Sequence, residues 1–146
     1  MLAGSTPLVD LTFLANPKVE GVKVLGKCEF FNPGFSMKDR IVKNIFDKAE
    51  QNGLLSPGGT VVAESSGDTG AVVAMMAAMR GYKAVITMSP KSSEEKASSI
   101  RAYGAQLIIT PRVWSMLARN TRDTKGSFFH LILLPKVFLR MTLIAI

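Results

Sequence analysis

Hydrophobic and polar positions follow two alternating periods along the first three quarters of the chain. Runs rich in β-branched and aromatic residues predict strands at 22–30, 60–64, 83–88 and 105–110. Between them, apolar residues recur at helical spacing and predict helices that begin near Ser36, Ala71 and Ser92. Strands that alternate with helices are typical of βαβ units. The sequence therefore predicts an α/β fold, a parallel sheet with flanking helices.

The ends of these predicted helices carry recognisable signals. Ser36 and Asp39 have the Ser-x-x-acid form of a helix N-terminus, and Ser92 with Glu95 forms a second predicted capping box. A glycine follows each helix and predicts its end, at Gly53, Gly81 and Gly104. The middle segment, 71–80, is apolar on almost every side, which predicts a buried helix.

The pattern changes after Pro111. Residues 1–111 hold 12 Lys and Arg against 10 Asp and Glu, whereas residues 112–146 hold 6 against 1. The net charge of +7 therefore comes mostly from the last quarter. The first three quarters have no basic stripe interleaved with aromatics, so nucleic-acid binding is not expected. We predict an α/β region at 1–111 and a divergent basic and apolar tail at 112–146.

Composition and charge bear on the compartment. Hydrophobic residues make up 47% and charged residues 20%, which is typical of a globular protein. The apolar stretch 128–146 contains Lys136 and Arg140, each costing about 2.5–3.5 kcal/mol in a membrane, so a membrane span is not expected. The N-terminus lacks the basic and apolar regions of a secretory signal. With Cys28 as the one cysteine, a cytoplasmic location is expected.

Two loops are candidates for chemistry, because both follow a predicted strand and open a helix. The first runs from Asn32, which ends the preceding strand, to Arg40, and it places Lys38 in the first helical turn. Asp39 is expected to satisfy first-turn N–H groups, and Arg40 is expected to pair with a nearby carboxylate. The positive end of a helix disfavours another positive charge and favours the neutral amine, which is the form that condenses with an aldehyde. The alternative is a solvated lysine at a helix start, and the residues alone leave both interpretations open.

The second loop is Ser65-Ser66-Gly67-Asp68-Thr69-Gly70. Its glycines allow close approach of a ligand to the backbone, and its N–H groups and hydroxyls suit a carboxylate or phosphate. It is not a Walker loop, because no lysine follows the last glycine. A tight turn with a capped helix explains the same residues equally well.

Together these segments resemble the cysteine synthase and cystathionine β-synthase family of pyridoxal-phosphate enzymes. The loop around Lys38 is similar to the family signature Asn-Pro-x-x-Ser-x-Lys-Asp-Arg, and the loop 65–70 is similar to Thr-Ser-Gly-Asn-Thr-Gly. Further similar segments occur in the family's order, at 6–9, 81–83, 93–96 and 104–105. The resemblance covers about residues 5–111, and no metal site is implied.

The resemblance implies a tryptophan synthase β-like fold and pyridoxal 5'-phosphate as cofactor. Lys38 would bind the cofactor covalently and be the catalytic lysine, and Asp68 would also contact it. The substrate carboxylate would be bound by the loop residues Ser65, Ser66, Gly67 and Thr69. The expected reaction is β-replacement, in which an activated serine loses its leaving group and a thiol or sulfide is added. Family members are typically homodimers.

Two departures from the family pattern leave an alternative open. Asp68 stands where the family has asparagine, whose side chain hydrogen-bonds the phenolic oxygen of the cofactor. After Pro111 the chain has a single glycine, Gly126, whereas the family has a later glycine-rich loop for the cofactor phosphate. The alternative hypothesis is a non-catalytic truncated fragment or pseudogene-like product that acts at most as a binding module.

Overall fold

The computed structural model describes residues 3–14, 21–65 and 67–110, and the backbone of a strand at 131–134. Its strands are β1 (Leu8–Asp10), β2 (Leu25–Lys27), β3 (Thr60–Glu64), β4 (Lys83–Met88), β5 (Gln106–Ile109) and β6 (Leu131–Leu134). Its α-helices are α1 (Lys38–Gln51), α2 (Asp68–Arg80) and α3 (Glu94–Ala102). The predicted mixed α/β architecture is confirmed.

The main sheet has the strand order β5-β4-β3-β6. β3, β4 and β5 are parallel, with Val62 opposite Val85 and Ile86 opposite Leu107. β6 is antiparallel to β3, with Ile132 opposite Val62. The sequence predicted the parallel part, whereas no strand was predicted in the tail. A separate antiparallel pair is formed by β1 and β2.

Helix α2 lies at the centre of the packing, in contact with β3, β4, α1 and α3. Its residues 72–77 are all buried, as its apolar sequence predicts. Helix α1 instead buries one stripe, formed by Val42, Phe46 and Ala49. The core therefore lies between α1, α2 and the sheet, and the N-termini of α1 and α2 are held in place by it.

Several predicted boundaries need correction. The predicted strand 22–30 is short, since β2 covers only Leu25–Lys27 and a 3-10 turn follows at Glu29–Phe31. Helix α2 begins at Asp68 rather than Ala71, so the loop contributes its first turn. Helix α3 is capped by Ser93, whose hydroxyl accepts the Lys96 N–H, and not by Ser92. In each case tertiary contacts and cap geometry decide an end that periodicity leaves open.

The predicted helix ends at glycine are confirmed. Gly53, Gly81 and Gly104 all have positive φ, between 68° and 77°, which glycine adopts without strain. Within the described ranges, no helix combines the length and apolar character that crossing a membrane requires. The apolar stretch 128–146 lies outside those ranges except for β6.

Candidate active site

Both candidate loops lie against helix α2. The loop that ends at Lys38 reaches α2 through Gly34, where an added Cβ would stand 2.6 Å from Val72 Cγ2. Val72 lies one helical turn after Asp68, and the second loop, Ser65–Gly67, leads directly into that first turn. The close contact at Gly34 thus leaves no space for a side chain and brings the two predicted loops to the same end of α2.

Lys38 is the first residue of α1 and is half-buried. This confirms its predicted place in the first helical turn. The predicted cap is off by one residue, because Met37 occupies the N-cap position without a side-chain cap. Ser36 still contributes, since its Oγ accepts the Lys38 N–H at 3.2 Å. The positive end of α1 therefore lies next to the Lys38 backbone.

Asn32 organises the loop that leads to Lys38. Its side chain is 1% exposed, and its amide nitrogen donates to the carbonyl oxygens of Glu29 and Ser36, both within 2.9 Å. Its amide oxygen accepts the Gly4 N–H at 2.9 Å. Because a buried amide is costly unless paired, these bonds fix one loop conformation. The sequence placed Asn32 at the end of a strand and in the family signature, but it gave no signal for this role.

Phe35 carries backbone strain close to Lys38. Its φ is 58°, in the left-handed region that bulky residues rarely adopt, and its side chain is exposed. The Phe35 N–H donates to the Asn32 carbonyl at 2.8 Å, which holds this turn. Strain of this kind persists where surrounding contacts over-determine the backbone, and it is frequent at functional sites.

Asp39 has a different role from the one predicted. It was expected to bind first-turn N–H groups of α1, but it is fully buried and its Oδ1 accepts the Gly34 N–H at 2.7 Å. Its Oδ2 has no hydrogen-bond partner among the residues that the structure describes. The fold therefore buries this carboxylate beneath the loop, where it fixes Gly34 rather than capping α1.

A charged cluster joins the N-terminal segment to α1. Arg40 donates to both carboxylate oxygens of Glu29, at 2.8 and 2.9 Å, and to the buried Thr6 hydroxyl at 3.0 Å. The predicted pairing of Arg40 with a nearby carboxylate is thus confirmed. The Arg40 guanidinium lowers the pKa of Glu29 to about 2. Glu29 and Thr6 lie 11 and 34 residues from Arg40, so local pattern could not identify them.

Ser65 shapes the second loop. Its Oγ accepts the Gly70 N–H at 2.9 Å and the Gly67 N–H at 3.3 Å, so its hydroxyl caps the start of α2. At Gly70 an added Cβ would meet Ser65, Ile86 and Ile100 within 3.3 Å, whereas at Gly67 no atom of the described part of the chain would lie within 4 Å of it. Packing therefore explains the glycine at 70, and open space lies in front of Gly67.

The remaining predicted residues of this loop differ in environment. Thr69 is buried within the first turn of α2. Ser66 lies outside the described residues. Asp68, expected to contact the cofactor, forms an ion pair in which Lys96 Nζ lies 2.5 Å from Oδ1. The sequence placed Lys96 only within the family-like segment 93–96. It did not predict that Lys96 pairs with Asp68, 28 residues away.

Comparison with known proteins places this geometry in a family. The sequence profile described as pyridoxal-phosphate dependent enzyme matches residues 1–129. The cystathionine beta-synthase of Apis mellifera is 49% identical over 110 residues, which is 74% of this chain and 21% of that protein. A cysteine synthase of Staphylococcus aureus is 43% identical over 132 residues, which is 87% of this chain and 42% of that protein.

The structural comparison agrees. The crystal structure of an O-ureido-L-serine synthase has a TM-score of 0.69 and 38% identity, and the match covers 83% of this chain and 39% of that one. The chain thus spans about two fifths or less of the relatives described here. The family match extends beyond residue 111. The boundary proposed there from the sequence stays a prediction. On this sequence match and fold, the chain belongs to the family of pyridoxal-phosphate dependent enzymes.

Proposed function

We propose that this chain carries the lysine-bearing part of a pyridoxal-phosphate-dependent β-replacement enzyme of cysteine biosynthesis. Its substrates would be an activated serine and a thiol or sulfide. The observation that carries the proposal is the position of Lys38, which opens α1 in a loop held by the buried Asn32. The relatives named cysteine synthase and cystathionine beta-synthase support the choice of reaction.

The described residues fit this cofactor. Lys38 is half-buried as the first residue of α1, at the end of the loop that Asn32 holds. The space in front of Gly67 is open, so a ligand can approach the backbone at the start of α2. The positive end of α2 suits an anionic group. Lys38 and Asp68 would contact the cofactor, and the segment 65–69 would bind the substrate carboxylate.

Each group has a defined task in this proposal. The bound cofactor supplies an electron sink for the bond changes at the amino acid. Lys38 holds the cofactor covalently through Nζ, and the Asn32 network keeps the loop that carries Lys38 in one conformation. The backbone N–H groups at the start of α2 orient the substrate through its carboxylate, and Ser65 maintains their geometry by capping the helix.

The test is covalent labelling with the cofactor. The full chain would be incubated with pyridoxal 5'-phosphate, reduced with borohydride and mapped by peptide mass spectrometry. We expect a pyridoxyl label on Lys38 that is lost in Lys38→Ala and retained in Lys48→Ala, which removes an exposed lysine from the same helix. A label distributed over other lysines, with Lys38 unmodified, would refute the assignment.

A second measurement distinguishes the enzyme from the alternative, a non-catalytic binding module. Its support is that Asp68 stands where the family resemblance implies asparagine and is paired with Lys96. A labelled chain that forms no cysteine from O-acetyl-L-serine and sulfide would be a binding module, whereas Lys38-dependent product would establish the enzyme. A cytoplasmic location and a homodimer belong to the same proposal, and cell fractionation and light scattering test them.

A further inference from the structure

Asp68 and Lys96 join the N-terminal turns of two neighbouring helices. Asp68 is the first residue of α2, which follows β3, and Lys96 lies in the first turn of α3, which follows β4. Lys96 Nζ lies 2.5 Å from Asp68 Oδ1. Because β3 and β4 are parallel neighbours, both residues lie at the carboxyl end of the sheet, beside the loop at Gly67.

The position of Lys96 is unfavourable without its partner. A helix N-terminus disfavours a positive charge, and in α3 the residues that suit the helix dipole there are Glu94 and Glu95. The hydrogen bond to Asp68 raises the pKa of Lys96 and keeps its ammonium charged. Pairing with Asp68 thus accounts for a lysine in a turn that otherwise favours carboxylates.

Stability alone is a weak explanation for the pair. The side chains of Lys96 and Asp68 are 35% and 45% exposed. Ion pairs with this exposure contribute little to folding because water and salt screen them. The pair has a larger effect on charge at the loop, because Asp68 is the one acidic residue in the segment 65–70.

We propose that Lys96 is a positioning residue of the candidate site, which neutralises Asp68 and holds its carboxylate on the α3 side of the loop so that a carboxylate ligand can approach the start of α2. This deepens the proposed function and rests on it for the identity of the ligand. Without Lys96, the Asp68 carboxylate would be free to turn toward the open space at Gly67 and repel an incoming anion.

A charge series on the full chain tests the proposal, with acetate as the probe. Binding would be followed by the amide resonances of Gly67, Asp68 and Thr69 at constant ionic strength. The pair carries no net charge in the native chain or in the Asp68→Asn, Lys96→Met double variant. Its charge is −1 in Lys96→Met and +1 in Asp68→Asn.

We expect acetate affinity to fall about fivefold in Lys96→Met, to recover in the double variant and to rise in Asp68→Asn. The matched control is Lys83→Met, which removes an exposed lysine at the opposite end of β4 and leaves affinity unchanged. Equal affinity of Lys96→Met and the native chain would overturn the proposal. So would a double variant as weak as Lys96→Met, or no saturable shift in the native chain.

The test remains decisive if Lys96→Met fails to fold. Asp68→Asn must then bind acetate more tightly than the native chain, and equal or weaker binding would refute the proposal. Acetate needs neither the cofactor nor the Lys38 amine. If Lys38 is not labelled, the proposed function is refuted and the acetate result still stands. If the charge series fails, the labelling result still stands.

Discussion

Gly67 and Gly70, at the start of α2, differ in why glycine occupies the position. Gly70 is needed for packing, since a Cβ there would lie 3.1 Å from Ile86 and Ser65 and 3.3 Å from Ile100. We expect Gly70→Ala to lower the free energy of unfolding by about 1–3 kcal/mol, because a buried site must shift to accept the methyl group. Urea unfolding measures this change.

Gly67→Ala is the matched variant, because its methyl group would enter open space. We expect its unfolding free energy to stay within about 0.5 kcal/mol of the native value. Its acetate affinity should fall, since the methyl group occupies the approach to the loop. If Gly67→Ala were as destabilising as Gly70→Ala, the space in front of the loop would not be open.

Glu29 gives the stability of the chain a pH dependence. Its pKa is lowered from 4.5 to about 2, mainly by the hydrogen bonds from Arg40. A lowered folded-state pKa stabilises the fold above the unfolded-state value, and this stabilisation is lost as pH falls toward 2. The native chain should therefore be more stable than Glu29→Gln at pH 7, and the difference should shrink between pH 4.5 and 2.

The measurement is the urea midpoint of both chains across this range. Lys48→Met serves as a control for a charge change on the surface of α1, where no such pH-dependent difference is expected. A native-minus-variant difference that stays constant down to pH 2 would contradict the ion pair of Glu29 with Arg40.

At the scale of elements, Arg80 connects α2 to α1. It donates to Asp47 at 2.6 Å and to Glu50 at 2.9 Å, and its guanidinium carbon lies 5.6 Å from the centre of the Phe46 ring. Since its side chain is only 20% exposed, these contacts are partly shielded from water. We expect Arg80→Met to lower the unfolding free energy by about 1–2 kcal/mol.

Two further variants make this prediction specific. Arg80→Lys keeps the charge but lacks the planar fork, so it should recover only part of the loss. Arg101→Met removes an arginine whose ion pair with Glu94 is far more exposed, and it should leave stability unchanged within error. Thermal unfolding compares the three variants. Equal losses of stability for Arg80→Met and Arg101→Met would argue against a stabilising contact of Arg80 between α2 and α1.

At the scale of the whole molecule, β6 extends the sheet from outside the βαβ units. It pairs with β3 from Thr60 opposite Leu134 to Ala63 opposite Leu131. Successive N–H groups of a strand point in opposite directions, so at Ile132 and Leu133 one N–H faces β3 and the other faces away. A proline removes the N–H at its position.

Ile132→Pro and Leu133→Pro should therefore differ in stability. We expect the variant that removes the ladder bond to lose at least about 1 kcal/mol more than the other. Hydrogen exchange at Val62 should accelerate more in that variant. Two variants with the same stability and the same exchange as the native chain would show that β6 does not contribute to the sheet.

The sequence by itself determined the local elements and the two motifs that predict the site. β3 and β4 have the predicted bounds, and the glycines that end the helices lie where φ is positive. These features follow from neighbouring residues, whose side-chain period and backbone freedom act within a few positions. The motif around Lys38 is equally local, and its residues are in one stretch of chain.

Only the tertiary structure decided how these parts meet. The partner of Asp68 lies 28 residues away, and so does the N–H of Gly4 that Asn32 accepts. The burial of Asp39 and the pairing of β6 with β3 likewise depend on which segments the core brings together. Such contacts depend on packing between segments that are distant in the sequence, and the spacing of residues within one segment does not encode them. They fix the orientation of the two loops that carry the candidate site residues.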